Sequence, residues 1–122
     1  MESPFKGKTG WRRLWNALHY SLDGLAAAFR HEDALRQETW LAAVLIPAAF
    51  FVHTTGVGRA LLIASVLLVL VVELLNSAIE AAVDRISLEN HRLAKRAKDI
   101  GSAAVLLALV NVATVWSCIL FG

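Results

Sequence analysis

Residues Arg59–Arg85 read RALLIASVLLVLVVELLNSAIEAAVDR, and this stretch decides the fold. From Ala60 to Val72 it is apolar and uncharged; from Glu73 onward the same helical phase carries Glu73, Asn76, Glu80 and Asp84. At about 100° per residue these four fall within one arc of about 80°, a single polar stripe. As a helix the stretch is about 40 Å long, against about 30 Å for the hydrocarbon core of a bilayer. One end should therefore project into headgroups or cytoplasm. An acidic side chain at the centre of a spanning helix costs about 2.5–3.5 kcal/mol on the insertion scale. Such residues persist where they face a bundle interior or take part in function. The plainer alternative is a row of interhelical hydrogen bonds, which suits Asn76 better than the glutamates.

The rest of the chain agrees with a membrane setting. Hydrophobic residues make up 57% of 122 residues and charged residues only 18%, above the roughly 45–50% apolar content of soluble domains. A chain this short has little interior in which to hide the excess. Trp11 to Phe29 places Trp11, Leu14, Trp15, Leu18, Leu22 and Leu25 at three- and four-residue steps among Arg12, Arg13, Asn16, His19 and Asp23. That pattern predicts an amphipathic helix lying in the membrane interface. Thr39 to His53 is a short apolar run with Pro47 inside, extended at its start by Leu35, and Thr54–Gly58 is a tight connection. A charged loop is expected over 85–98, then a third apolar run from Ile100 to Phe121. The fold expected is all-α and single-domain over 1–122: a surface helix at about 11–29 and membrane helices at about 35–53, 59–85 and 99–121. The single cysteine, Cys118, excludes an intrachain disulfide and reads as a buried small apolar side chain.

Six of the twelve lysines and arginines precede the first span, five lie between Arg85 and Lys98, and only Arg59 lies in the remaining connection. The positive-inside rule then puts the N-terminus and the charged segment in the cytoplasm. With Arg59 at the outer boundary, Glu73 lies about 20 Å inward, about 10 Å short of the cytoplasmic surface. Glu80 lies about 10 Å further along, near that surface. A lipid hydroxyl can reach the first level and a water-soluble nucleotide with its metal the second.

Glu32, near the cytoplasmic side of the first span, sits at a level similar to Glu80, and two carboxylates from two helices suit a hard cation such as Mg²⁺. Lys98 can meet a phosphate as a point charge, or act only as an inside-positive anchor. Soluble nucleotide motifs are missing. Gly7-Lys8-Thr9 ends like a phosphate-binding loop, but Glu2 stands where the first glycine is needed and no strand precedes it. Protein-kinase loops are absent, and His19, His31, His53 and His91 show no metal spacing. A small ion-coupled transporter or channel would also carry intramembrane glutamates, but leaves unexplained why the carboxylates and Lys98-Asp99 gather toward one side. A structural subunit of a larger complex is the third option.

Glu73-Leu74-Leu75-Asn76-Ser77-Ala78-Ile79-Glu80, continuing to Asp84, closely resembles the prokaryotic diacylglycerol kinase signature E-x-x-N-[ST]-A-I-E-x-x-x-D. Ala97-Lys98-Asp99 with Gly101-Ser102-Ala103-Ala104 resembles that family's second block and Ala34-Leu35-Arg36-Gln37-Glu38 its third; Asp23 departs from it, standing where a basic residue is expected. The resemblance implies a homotrimer in the bacterial inner membrane that transfers the ATP γ-phosphate to diacylglycerol with Mg²⁺ as cofactor. It implies Glu73 as catalytic base and Glu32 and Glu80 as metal ligands. Arg13, Tyr20, Glu32, Asn76, Glu80, Glu89, His91, Lys98 and Asp99 would bind ATP. Arg36, Gln37, Glu38, Glu73 and Ser102 would meet the lipid. A sister branch of the family phosphorylates undecaprenol; the Arg36-Gln37-Glu38 and Gly101–Ala104 blocks look more like the diacylglycerol branch. No nucleic-acid partner is implied.

Overall fold

The computed structural model describes residues 10–86 and 91–122, and among these every regular element is an α-helix. They run α1 (Gly10–His31), α2 (Asp33–Ala49), α3 (Gly56–Ile86) and α4 (His91–Phe121). α3 is the central element: α4 packs along it most extensively, α2 next, and α1 rests more lightly on both α2 and α3. Leu62, Val66 and Val69 of α3 are buried with Leu35, Ala42 and Ala49 of α2 and Ala108 of α4. Small residues at the contact let helices approach closely, as membrane helix pairs require.

α1 has the expected amphipathic form but no buried residue. Trp11, Leu14, Trp15, Leu18, Leu22 and Leu25 all stay exposed, so none of the other described helices covers this face. The Trp15 and His19 rings meet edge-on at 4.7 Å. Between α1 and α2 the chain turns at Glu32, whose backbone is extended. Arg36 stitches this corner: its guanidinium donates to the carbonyls of Phe29 (3.0 Å) and Arg30 (2.7 Å) and pairs with Asp33. The last carbonyls of α1 lack intrahelical partners, and an arginine fork satisfies two of them at once.

α2 ends at Ala49, not at His53 as expected, which leaves it 17 residues long. Phe50 and Phe51 N–H groups donate to the carbonyls of Pro47 and Ala48, a tightened final turn of i→i+3 type. Pro47 therefore stands in the last turn and not at a mid-helix kink. Arg59 reaches across from α3 and donates to the freed carbonyls of Ala49 (3.2 Å) and Val52 (3.1 Å). The tight connection extends from Phe50 to Thr55, because α3 already begins at Gly56, where Thr55 Oγ1 accepts from the Gly58 N–H (3.0 Å).

Two helical stretches, Gly56–Arg85 and Arg92–Phe121, are long and apolar enough to cross a membrane. The charged segment is a correction. Arg92–Lys98 is helix and not loop: α4 begins at His91, and only 87–90 separate it from α3. The stretch contains Ala94, Ala97, Lys95 and Arg96, all good helix formers, and Lys95 pairs with Asp99 one turn on (2.7 Å). Charge density there reflects a solvated first turn and a half of a helix, not a break. Cys118 is exposed on α4 and not buried.

Candidate active site

The polar stripe forms as expected, and one part of it turns into the bundle. Glu73 is only 5% exposed, Asn76 8% and Ser77 9%. Glu80 is half-buried and Asp84 exposed, so burial falls away toward the charged end of α3. The gradient reflects how far the packing of α2 and α4 on α3 extends.

The side chain of Glu38, half-buried on α2, lies beside that of Glu73 on α3. Thr39, the next residue, donates instead to its own helix at the Leu35 carbonyl (2.7 Å). Glu38 Oε2, Glu73 Oε2 and Asn76 Oδ1 are all buried without a hydrogen-bond partner. Unpaired buried polar atoms are costly, and native structures carry few. Three such oxygens gather at adjoining positions of two helices.

One turn on, Asn76 Nδ2 donates to Glu80 Oε1 at 3.4 Å. Glu32 lines the rim of an apolar groove of about 690 Å³ between α1 and α3, whose floor includes Gly24, Leu25, Ala28, Leu74 and Ala78. A second depression of about 400 Å³, lined by Phe29, Leu35, Thr39 and Leu70, shares Leu25 and Leu74 with it. Glu32 thus stands beside the α3 face of Leu74, Ser77, Ala78 and Ala81, which adjoins the polar stripe and does not include Asn76 or Glu80. Among the described residues no three acidic, histidine or cysteine side chains form a metal cluster. Mg²⁺ in nucleotide sites is held by one or two carboxylates plus phosphates and water, and Glu32 and Glu80 supply hard oxygen donors of that kind.

At the charged end, Lys98 Nζ lies 2.5 Å from Asp84 Oδ1, which joins α4 to α3. The hydrogen bond and charge of Asp84 push the lysine above its ordinary value, with Glu80 adding a smaller contribution in the same direction. Lys95 is raised likewise by Asp99. Both ammonium groups are therefore firmly cationic. Arg13, Gln37 and Ser102 are exposed. Tyr20 is half exposed on α1, and Arg36 has its guanidinium engaged at the corner described above. Glu89 and the side chain of His91 lie outside the described residues.

The structure therefore joins Glu38 to Glu73, Asn76 to Glu80, and Asp84 to Lys98, and sets Arg13 and Ser102 outside these contacts. Two participants carried no assigned role in the sequence. Asp84 is the partner of Lys98, and Gly101 of α4 is buried against Asn76. The stripe already contained Asp84; nothing in helical periodicity marks Gly101, since its role depends on which helix lies opposite.

Helical throughout its described residues, with two helices of membrane length and carboxylates buried between helices, the chain has the build of a small helical membrane protein. The family model described as prokaryotic diacylglycerol kinase matches residues 19–120, and the chain belongs to that family. It is similar to the diacylglycerol kinase of Pseudomonas aeruginosa, 58% identical over 120 residues and covering 98% of both chains. The Haemophilus influenzae diacylglycerol kinase is 53% identical, covering 93% of this chain and 96% of its own. That of Escherichia coli K12 is 49% identical, with 93% of each chain covered.

Proposed function

We propose that this chain is a diacylglycerol kinase that transfers the γ-phosphate of ATP to diacylglycerol, forming phosphatidic acid at the cytoplasmic face of the bacterial inner membrane. The observation that carries this reading is the buried cluster of Glu38, Glu73 and Asn76 with its three open acceptor oxygens. A lipid hydroxyl is a donor, and the adjoining apolar depressions suit the acyl chains attached to it.

In this mechanism Glu73 accepts the proton of the diacylglycerol hydroxyl as the oxygen attacks the γ-phosphorus. The new O–P bond forms as the bond from phosphorus to the β,γ-bridging oxygen breaks, and ADP leaves with that electron pair. Catalysis is mainly positioning and charge neutralisation, as in phosphoryl transfer generally. Glu32 and Glu80 would hold the Mg²⁺ that accompanies ATP, which would supply charge neutralisation for the phosphates. Asn76 orients Glu80, and Lys98 faces the phosphates, exchanging part of its contact with Asp84. Gln37, Glu38 and Ser102 serve the lipid side, and Arg13, Tyr20, Glu89, His91 and Asp99 the nucleotide side. Arg36 contributes by holding the corner that brings Glu32 to the rim.

The chain is expected to work as a homotrimer with α2 as the first of three membrane helices, the N-terminus and the α3–α4 connection in the cytoplasm. The exposed apolar faces of α1 and α4 are the surfaces that lipid and neighbouring subunits would cover. The test is a coupled ATP assay on the purified protein in detergent with Mg²⁺, offering diacylglycerol, undecaprenol or no lipid. Turnover that depends on diacylglycerol is expected. Turnover with undecaprenol alone moves the chain to the sister branch, and turnover with neither refutes a lipid kinase.

A further inference from the structure

The contact between α4 and the polar stripe is closest at Gly101. This glycine is buried, and a β-carbon built on it falls inside the van der Waals radius of Asn76 Oδ1 and 3.2 Å from Asn76 Cγ. The atoms it would meet belong to one short side chain and not to the α3 backbone. Glycine is therefore not needed for the two helices to pass each other; it is needed for Asn76 to hold the rotamer it has. In that rotamer Nδ2 is turned toward Glu80 Oε1, and Oδ1 is left buried without a partner against the α4 backbone. The only other described glycine whose added β-carbon meets another residue's side chain is Gly58, against Thr54 in the outer connection. Gly24 and Gly56 would have open space around theirs.

We infer that Gly101 is a positioning residue for phosphoryl transfer: the missing β-carbon on α4 fixes the Asn76 amide in the orientation that supports Glu80. The inference rests on the kinase reading for its kinetic consequences and on geometry alone for the contact. Replacing Gly101 by alanine swings the Asn76 amide away and removes its hold on Glu80, with α3 and α4 left in place. The helix itself gains, because alanine is the better helix former.

The experiment is a double-mutant cycle on the full chain in detergent: unsubstituted, Gly101→Ala, Asn76→Ala and the double variant, each assayed with Mg-ATP and diacylglycerol and each melted. Gly101→Ala is expected to lower kcat/KM for Mg-ATP about 10- to 100-fold, the scale for losing a group that orients a metal ligand. KM for diacylglycerol stays unchanged, and the double variant is no weaker than Asn76→Ala alone. The melting temperature reads the contact without the reaction: Gly101→Ala lowers it in the presence of Asn76 and does not lower it in the Asn76→Ala background. Additive losses, or unaltered Mg-ATP kinetics in the single variant, overturn the inference. Should Gly101→Ala fail to fold, the double variant must fold, since the opposing atoms are gone; failure of both also overturns it. If the unsubstituted protein proves inactive, the kinase reading fails, while the melting cycle still decides whether Gly101 positions Asn76.

Discussion

The two halves of α3 treat polar side chains in opposite ways. In the apolar half, Ser65 is 3% exposed and its hydroxyl donates to the Leu62 carbonyl at 2.8 Å, one turn back in its own helix. The same carbonyl receives the Trp116 indole N–H of α4 at 3.2 Å. Neither polar group is left open. In the other half Glu73 and Asn76 are as deeply buried, yet each keeps an oxygen with no partner. Burial is therefore common to both halves, and satisfaction separates them. A fully paired buried polar group serves the bundle; the open acceptors gathered in the other half are what mark it as the candidate site.

The contrast can be broken by substitution. Glu73→Gln keeps shape and burial but removes the base, and is expected to lower diacylglycerol turnover by about 10²–10⁴-fold, the usual contribution of general base catalysis. The melting temperature should hold. A Glu73→Gln enzyme that turns over normally would reduce the open half of α3 to the same structural role as Ser65. Next in size, Glu80→Gln should cost about 10²–10³-fold, the scale for losing one preorganised charge-stabilising contact, and the loss should be relieved in part by raising Mg-ATP.

The closed half should respond in stability alone. Trp116→Phe removes the interhelical bond and is expected to cost about 0.6 kcal/mol, the average for such bonds between membrane helices, with turnover per folded protein unchanged. Unfolding measured in detergent beside the kinase assay checks both. Smallest of all is the alkaline response. Lys98 and Lys95 are raised above 10.5 by Asp84 and Asp99, so each ion pair is fully present below the ordinary lysine value and is lost as pH rises through the raised one. Stability should thus carry a constant contribution from these pairs between about pH 6 and 9 and decline only at higher pH. Lys98→Met, melted across alkaline pH, should flatten that decline.

Much of this was legible in the residues. The steps from Glu73 to Asp84 gave the stripe, and the burial of Glu73 and Asn76 shows that it turns into the bundle; the order of depth rests on the spacing from Arg59. The amphipathic helix was legible from Trp11 to Leu25. The start of α4 was not, because lysines and arginines signal solvent equally well in a loop or on a helix, and Lys95–Asp99 closes a helical turn only once the helix exists. The end of α2 depended on Arg59, a residue of the next helix, donating to the carbonyls of Ala49 and Val52, the first of which a helix continued to His53 would have paired within itself. The contacts of Glu38 with Glu73 and of Gly101 with Asn76 depend on the register between helices, which no single-helix periodicity carries.

The assignment of Glu73 to the lipid and Glu80 to the nucleotide is open to one direct measurement, equilibrium binding of Mg-ATP to Glu73→Gln and Glu80→Gln in detergent without lipid. Glu73→Gln should bind Mg-ATP as the unsubstituted protein does, and Glu80→Gln should bind it far more weakly. Equal losses in both, or a loss confined to Glu73→Gln, would contradict the division of α3 into a lipid level and a nucleotide level.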